Sequence, residues 1–237
     1  MHSPYQINDP AFLLVDDPVP HSGKFNMEFD EWLFTLLQQG RIKNALRIYE
    51  WEGPVITYGL FQAIGKDINK DECAKDRVEL VKRPTGGRAI LHYRELTFSL
   101  VLHPGSIEPY DFRNSFLLAA DLITDSFADL NIKASVNLKP HKYEEKALCF
   151  QSLSQYEIID TNGNKLTGIA QHFTKEGVLI QGSIPLKSNE ENNKYFNLRK
   201  KISLTSELIE RNTEPGEMRR SLLAAAARKF KLAPFFE

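Results

Sequence analysis

Between Phe25 and Leu37, apolar residues recur at Phe25, Phe29, Trp32, Leu33, Leu36 and Leu37, with Glu28, Asp30 and Glu31 between them. This spacing predicts an amphipathic helix after a Ser22-Gly23 start. Short apolar and β-branched runs over residues 45–49, 55–58, 78–81, 89–92 and 96–102 predict strands, separated by breaks at Gly53-Pro54 and Pro84 to Gly87. Helical periodicity returns over residues 112–130. Residues 156–160, 165–170 and 178–186 again have strand character, and Asn162-Gly163 is a hairpin signal between the first two. The chain is polar over residues 187–194 and predicts a last helix from about Pro215 to Phe230. Strands and helices without regular βαβ alternation predict an α+β fold, with a mixed, largely antiparallel sheet flanked by helices.

The 237 residues are 42% hydrophobic and contain no repeat or low-complexity tract, so they are expected to form one domain. Its core is expected over residues 25–186, with residues 187–237 as a C-terminal helical extension. Lys and Arg number 30 against 31 Asp and Glu, a net charge of -1 that gives no overall field toward nucleic acid or an anionic membrane. Residues 1–20 carry neither a basic leader nor an apolar segment, and no later apolar run is long enough to cross a bilayer, so a cytosolic protein is expected. There the two cysteines, Cys73 and Cys149, stay thiols.

The richest segment runs from Lys82 to Leu100, where Pro84-Thr85-Gly86-Gly87 and two arginines, Arg83 and Arg88, stand between two strands. The glycines permit close backbone approach to a ligand, and the arginines are able to donate to a phosphate or a carbonyl. A tight turn with solvated arginines fits the same residues. The loop is not a Walker loop, because no Gly-Lys-Ser/Thr follows. A lone strand lysine such as Lys165 is usually solvated, and Cys149, in Ala147-Leu148-Cys149-Phe150, has the apolar surroundings of a buried, inert thiol. Cys73 sits in a charged stretch and matches no motif. The histidines show no metal-ligand spacing, and no metal site is expected.

Arg83-Pro84-Thr85-Gly86-Gly87-Arg88-Ala89-Ile90-Leu91-His92 resembles the signature loop of the lipoate–protein ligase A and lipoyl(octanoyl)transferase family. Other blocks follow in the family's order. Asn26 to Glu31 resembles its opening helix, Trp51 to Gln62 its next strand and turn, Asn164 to Gln171 its lysine segment, and Gln181 to Ile184 the strand closing its acyl site. The resemblance implies the fold of biotin ligases and class II aminoacyl-tRNA synthetases. It implies Cys149 and Lys165 as catalytic residues, and an acyl or nucleotide site formed by Arg83, Thr85, Gly86, Gly87, Arg88, His92, Gly168, Ala170 and Gly182. Cys149 matches the nucleophile of the cysteine-dependent octanoyltransferases, which take an acyl group from a thioester. Lys165 matches the residue that holds the acyl carbonyl oxygen.

Within the resemblance, a transferase would need no cofactor and would pass octanoyl from acyl-carrier protein to a lysine of the glycine-cleavage H protein or of lipoyl domains of 2-oxoacid dehydrogenases. The alternative is an ATP-dependent ligase using lipoate, ATP and Mg2+ through an acyl-adenylate. Cys149, a Gly-Gly-Arg in place of a third glycine, and the short remainder after Leu186 favour transfer. Lys82, Ile169 and Tyr93 depart from the pattern, where arginine, a small polar residue and aspartate are usual. These departures leave a third reading, a non-catalytic acyl- or carrier-binding protein.

Overall fold

The computed structural model describes residues 12–64, 67–138, 156–188, 190–197 and 206–231. The first helix, α1 (Gly23–Gln38), is capped by the Ser22 side chain, which accepts from the Phe25 amide. The Glu79 carboxylate also accepts from the Gly23 and Lys24 amides at 2.7 and 2.8 Å, placing negative charge at the helix's positive end. The predicted apolar stripe divides in two. Leu33, Phe34 and Leu37 face the core, whereas Phe25 and Trp32 are 42% and 50% exposed and edge-pack through Phe29. The physical reason is that Asn26 and Asp30, both fully buried, take inward positions that a purely apolar reading gives to the aromatic residues.

Among the described residues ten strands follow the predicted order, with two additions, one at the start and one of two residues after the second long helical run. They are β1 (Phe12–Asp16), β2 (Asn44–Tyr49), β3 (Val55–Tyr58), β4 (Glu79–Lys82), β5 (Ile90–His92), β6 (Glu95–Leu102), β7 (Ser135–Val136), β8 (Ile158–Ile159), β9 (Lys165–Phe173) and β10 (Val178–Pro185). They form a seven-stranded sheet, β1-β2-β6-β10-β9-β8-β7, and a three-stranded sheet, β4-β3-β5. Only the β1–β2 and β3–β4 pairings are parallel, which makes the architecture the expected mixed, largely antiparallel α+β. Sequence periodicity missed β1, an edge strand, the two-residue β7 and the short helix α2 (Lys70–Lys75). The helix is capped by Asn69 and buries only Cys73, so its residues read simply as charged surface.

One face of the large sheet carries Leu96, Phe98, Leu100 and Leu102 of β6 and Ile180 and Ile184 of β10. Two helices cover it, α3 (Phe112–Asp129) and α5 (Pro215–Phe230), which also pack on each other; between them in sequence lies the single turn α4 (Glu207–Glu210). The helix α5, expected as an extension, supplies Met218, Leu222, Ala225, Ala226 and Phe230 to this core. Its Arg219 reaches the other end of the chain, donating to Glu50 at 2.9 Å and pairing with Asp16.

The opposite face is organised in cross-strand rows. Ala45, Val101 and Leu179 form an apolar row beneath α1. The next row is Arg47, Ser99, Gln181 and Ala170, and the next is Tyr49, Thr97, Ser183 and Gly168. Polar and small residues thus replace branched ones where the small sheet approaches. Among the described residues, no helix is long and apolar enough to cross a membrane.

Leu222 is fully buried. Leu222→Ala is therefore expected to cost about 2–5 kcal/mol in urea denaturation, whereas a loosely appended helix would lose less than about 0.5 kcal/mol.

Candidate functional site

The chain between β4 and β5 carries the paired glycines, and Arg83 closes it on itself. Arg83 Nε and Nη2 donate to the Gly86 carbonyl at 3.1 and 2.7 Å, and Nη2 also donates to the Arg88 carbonyl at 2.8 Å. Nη1 donates to the Thr57 carbonyl and hydroxyl at 3.3 and 3.2 Å. These bonds occupy the five N–H groups of a guanidinium, so Arg83, 5% exposed, is a clamp within the protein. Gly87 lies at φ +91°, and Gly59 packs so tightly beneath it that a Cβ there would come within 2.1 Å of the Gly87 carbonyl oxygen. The Leu60 amide donates to the Thr85 carbonyl at 2.9 Å and the Arg83 amide to the Tyr58 carbonyl at 3.0 Å, which fastens the loop to the end of β3.

A second set of bonds fixes the loop to the large sheet. Thr85, fully buried, donates to Gln181 at 2.8 Å; Gln181 donates to Asp30 at 2.7 Å; Asp30 accepts from Tyr49 and Ser99 at 2.9 and 2.7 Å and pairs with Arg47 at 3.3 Å. Burial pushes the Asp30 carboxyl up from its usual range, against the pull of Arg47 and of its hydrogen-bond donors.

Between the loop and the polar rows opens a pocket with about 440 Å³ of empty space, counted to its mouth. Met27, Trp51 and Ile90 give it apolar walls, Gly168 and Ala170 give it width, Gly182 lines it with its backbone, and Thr57 and His92 face it from the small sheet. Ile169 also lines it, while packing into the main core.

Of the residues singled out from sequence, Arg83, Gly87, His92, Gly168, Ala170 and Gly182 line this pocket. Thr85 and Gly86 support it from behind, through Gln181 and Arg83. Arg88 contributes its carbonyl to the Arg83 clamp. Lys165 begins β9 with its side chain 7% exposed and its amine 2.5 Å from Glu157; it is not among the lining residues. Cys149 lies outside the described residues. Cys73 is buried in the second core cluster, and burial pushes its thiol pKa up, which keeps it protonated and inert.

The arrangement joins a clamped glycine loop and an apolar pocket, with Gly168 and Ala170 of β9 lining it and Lys165, at the start of that strand, held by Glu157 outside it. Residues 22–215 match the lipoyl protein ligase A/B catalytic domain model. The chain belongs to that family. Among curated relatives of this lipoyl protein ligase A/B domain, the octanoyltransferase LipM of Bacillus cereus is 34% identical over 176 residues, covering 70% of this chain and 62% of the relative. The octanoyltransferase LipM of Halalkalibacterium halodurans is 35% identical over 185 residues, covering 73% and 65%. The matched stretch therefore spans a little under two thirds of those relatives' length. A T. acidophilum protein described as a lipoate protein ligase, solved with bound lipoic acid, superposes with a TM-score of 0.75 at 19% identity, covering 94% of this chain and 86% of that one. A lipoate-protein ligase A solved with ATP gives 0.70 at 19%, covering 95% and 87%. At these identities the two structures establish the shared fold.

Sequence reading missed Asp30, Arg47, Tyr49, Glu95 and Thr97 as members of the site. One signal was available. In Glu95-Leu96-Thr97-Phe98-Ser99-Leu100 the polar residues alternate with apolar ones, which normally marks a solvent face; a central strand has none, so its alternate polar residues must face an internal site.

Two outcomes check this geometry. Arg83→Lys retains the charge but loses the fork, and is expected to lower stability by about 1–3 kcal/mol; an arginine reserved for a ligand's phosphate would leave thermal unfolding unchanged. In a Cys149→Ala background, Cys73 is expected to react with a disulfide reagent only after denaturant is added.

Proposed function

We propose that the chain is an octanoyltransferase of protein lipoylation, passing a medium-chain acyl group from acyl-carrier protein to the lysine of a small carrier domain. The observation that carries this reading is the pocket itself. Its walls are apolar, and Arg83, which lines it, directs its donors to the loop and to Thr57. Such a site suits an uncharged tail entered by its carbonyl end better than a row of phosphates. The names of the relatives at 34–35% identity point the same way.

In this mechanism the Cys149 thiolate attacks the thioester of octanoyl-acyl-carrier protein. The acyl carbon bonds to sulfur, and the carrier's thiolate leaves. The exchange of one thioester for another is close to balanced in energy, and the product remains reactive toward an amine. Lys165, paired with Glu157 in the structure, would on exchanging that partner for the substrate supply a positive charge for the carbonyl oxygen as it becomes an oxyanion, and backbone amides near Gly86 and Gly87 assist. The acceptor lysine, on glycine-cleavage H protein or a lipoyl domain, completes the transfer. No cofactor enters these steps.

Intact-mass analysis after incubation with octanoyl-acyl-carrier protein tests the reading. A single octanoyl adduct is expected on the wild-type chain and not on Cys149→Ala. Lipoate-dependent pyrophosphate release from ATP, with no adduct, would assign the ATP-dependent ligase instead; either activity discards a non-catalytic binding protein.

A further inference from the structure

Beside the pocket, three elements bring three polar residues into one line. Thr57 Oγ1 on β3 lies 2.7 Å from His92 Nε2 on β5, and His92 Nδ1 lies 2.7 Å from Glu95 Oε1 on β6. The three are 1%, 6% and 4% exposed. Donor accounting fixes the directions of these bonds. Glu95 accepts from Thr97 and Ser183 as a carboxylate, so Nδ1 carries the ring proton, Nε2 of the neutral imidazole is the acceptor, and Thr57 Oγ1, which itself accepts from Arg83 Nη1 at 3.2 Å, donates to it. The Nδ1 proton is then donated to Glu95. Glu95 is itself held by Thr97 and Ser183, each donating at 2.6 Å, and the Trp51 ring stacks on the imidazole with centroids 4.1 Å apart. Trp51 is fixed in turn by its bond to Thr97 at 2.7 Å.

The imidazole is thus oriented on one edge by a carboxylate, on one face by an indole and on its other nitrogen by a hydroxyl. Both Thr57 and His92 line the pocket. We infer that Thr57, His92 and Glu95 form a proton relay for the aminolysis step, His92 being the proton-accepting residue and Glu95 the residue that positions it. The inference rests on the acyl-transfer reading and assigns it a base.

The step balances as follows. The acceptor lysine's amine attacks the acyl carbonyl carbon; the C–N bond forms, the C–S bond breaks, and its electron pair leaves on sulfur as thiolate. The surplus proton on nitrogen passes through the Thr57 hydroxyl to His92 Nε2. His92 then gives it to the thiolate, which returns the imidazole to its starting tautomer. A buried Glu–His–Thr line has this use at an aminolysis site, whereas thioester exchange by a thiolate needs no base.

The two half-reactions separate the possibilities. Adduct formation from octanoyl-acyl-carrier protein and single-turnover transfer from the adduct to a lipoyl domain are measured on the full chain. His92→Ala is expected to slow transfer roughly 10²–10⁴-fold, far more than it slows acylation, with partial rescue of transfer by added imidazole. Thr57→Val, which retains the packing, and Glu95→Gln are expected to show the same split. A His92→Ala chain that transfers at the wild-type rate overturns the relay, as does a parallel loss of both half-reactions that imidazole does not relieve. A wild-type chain that forms no adduct instead removes the acyl-transfer reading, and with it the relay's role.

Discussion

The buried guanidinium of Arg47 is the interaction on which the pocket side of the fold depends. It is fully buried, donates to Asn26 and Asp17 at 2.7 and 2.8 Å, pairs with Asp30 at 3.3 Å and lies over the rings of Phe29 and Tyr49 at 4.3 and 4.1 Å. Removing one member of such a pair leaves an uncompensated charge in the interior, at a cost of about 3–5 kcal/mol. That penalty makes the arrangement all-or-none: α1, β1 and β2 assemble in the one register that brings Asn26, Asp30 and Asp17 around the same side chain. The face of the sheet next to it can then be polar without being wet.

From Asp30 the constraint passes outward. Gln181 connects it to Thr85, and Thr85 fixes the loop that Arg83 holds closed. The glycine loop is consequently positioned twice, once by its own arginine and once by the sheet, although it contains no helix or strand of its own. Rigid placement of this kind is what a site needs when its amides must meet a carbonyl oxygen without reorganising. The adjacent Glu95 cluster, with His92, Thr97 and Ser183, lies on the same face of the sheet.

Helices α1, α3 and α5 and the eight strands read from the pattern were legible because each has a long periodic run or a clear break beside it. The strands β1 and β7 and the helix α2 were not: β1 is an edge strand paired among the described residues with β2 alone, β7 has two residues, and α2 buries a single side chain. The site was legible where backbone freedom is required, at the Gly86-Gly87 turn, whereas Gly59, which packs beneath it, emerges only from the structure. It was illegible where polar residues act from inside, because Arg47, Asp30 and Glu95 carry the same letters as solvated surface residues. Only the register of β2, β6 and β10 reveals that Arg47 and Glu95 share one buried face, to which α1 brings Asp30.

Gly182 shows how a motif residue serves a purpose different from its apparent one. In the cross-strand row it lies between Phe98 and Ile169, whose side chains belong to the main core on the far side of the sheet. A Cβ on Gly182 would meet the Phe98 ring at 2.1 Å, so the glycine is required by packing against β6, and the pocket sees only its backbone. Gly168 and Ala170, in the rows that face α1 and the small sheet, are the positions where a small side chain leaves room for a ligand. The same row explains how the family pattern tolerates Ile169: its bulk is spent mainly in the core, where it fills volume beside Gly182, and the pocket loses little width to it.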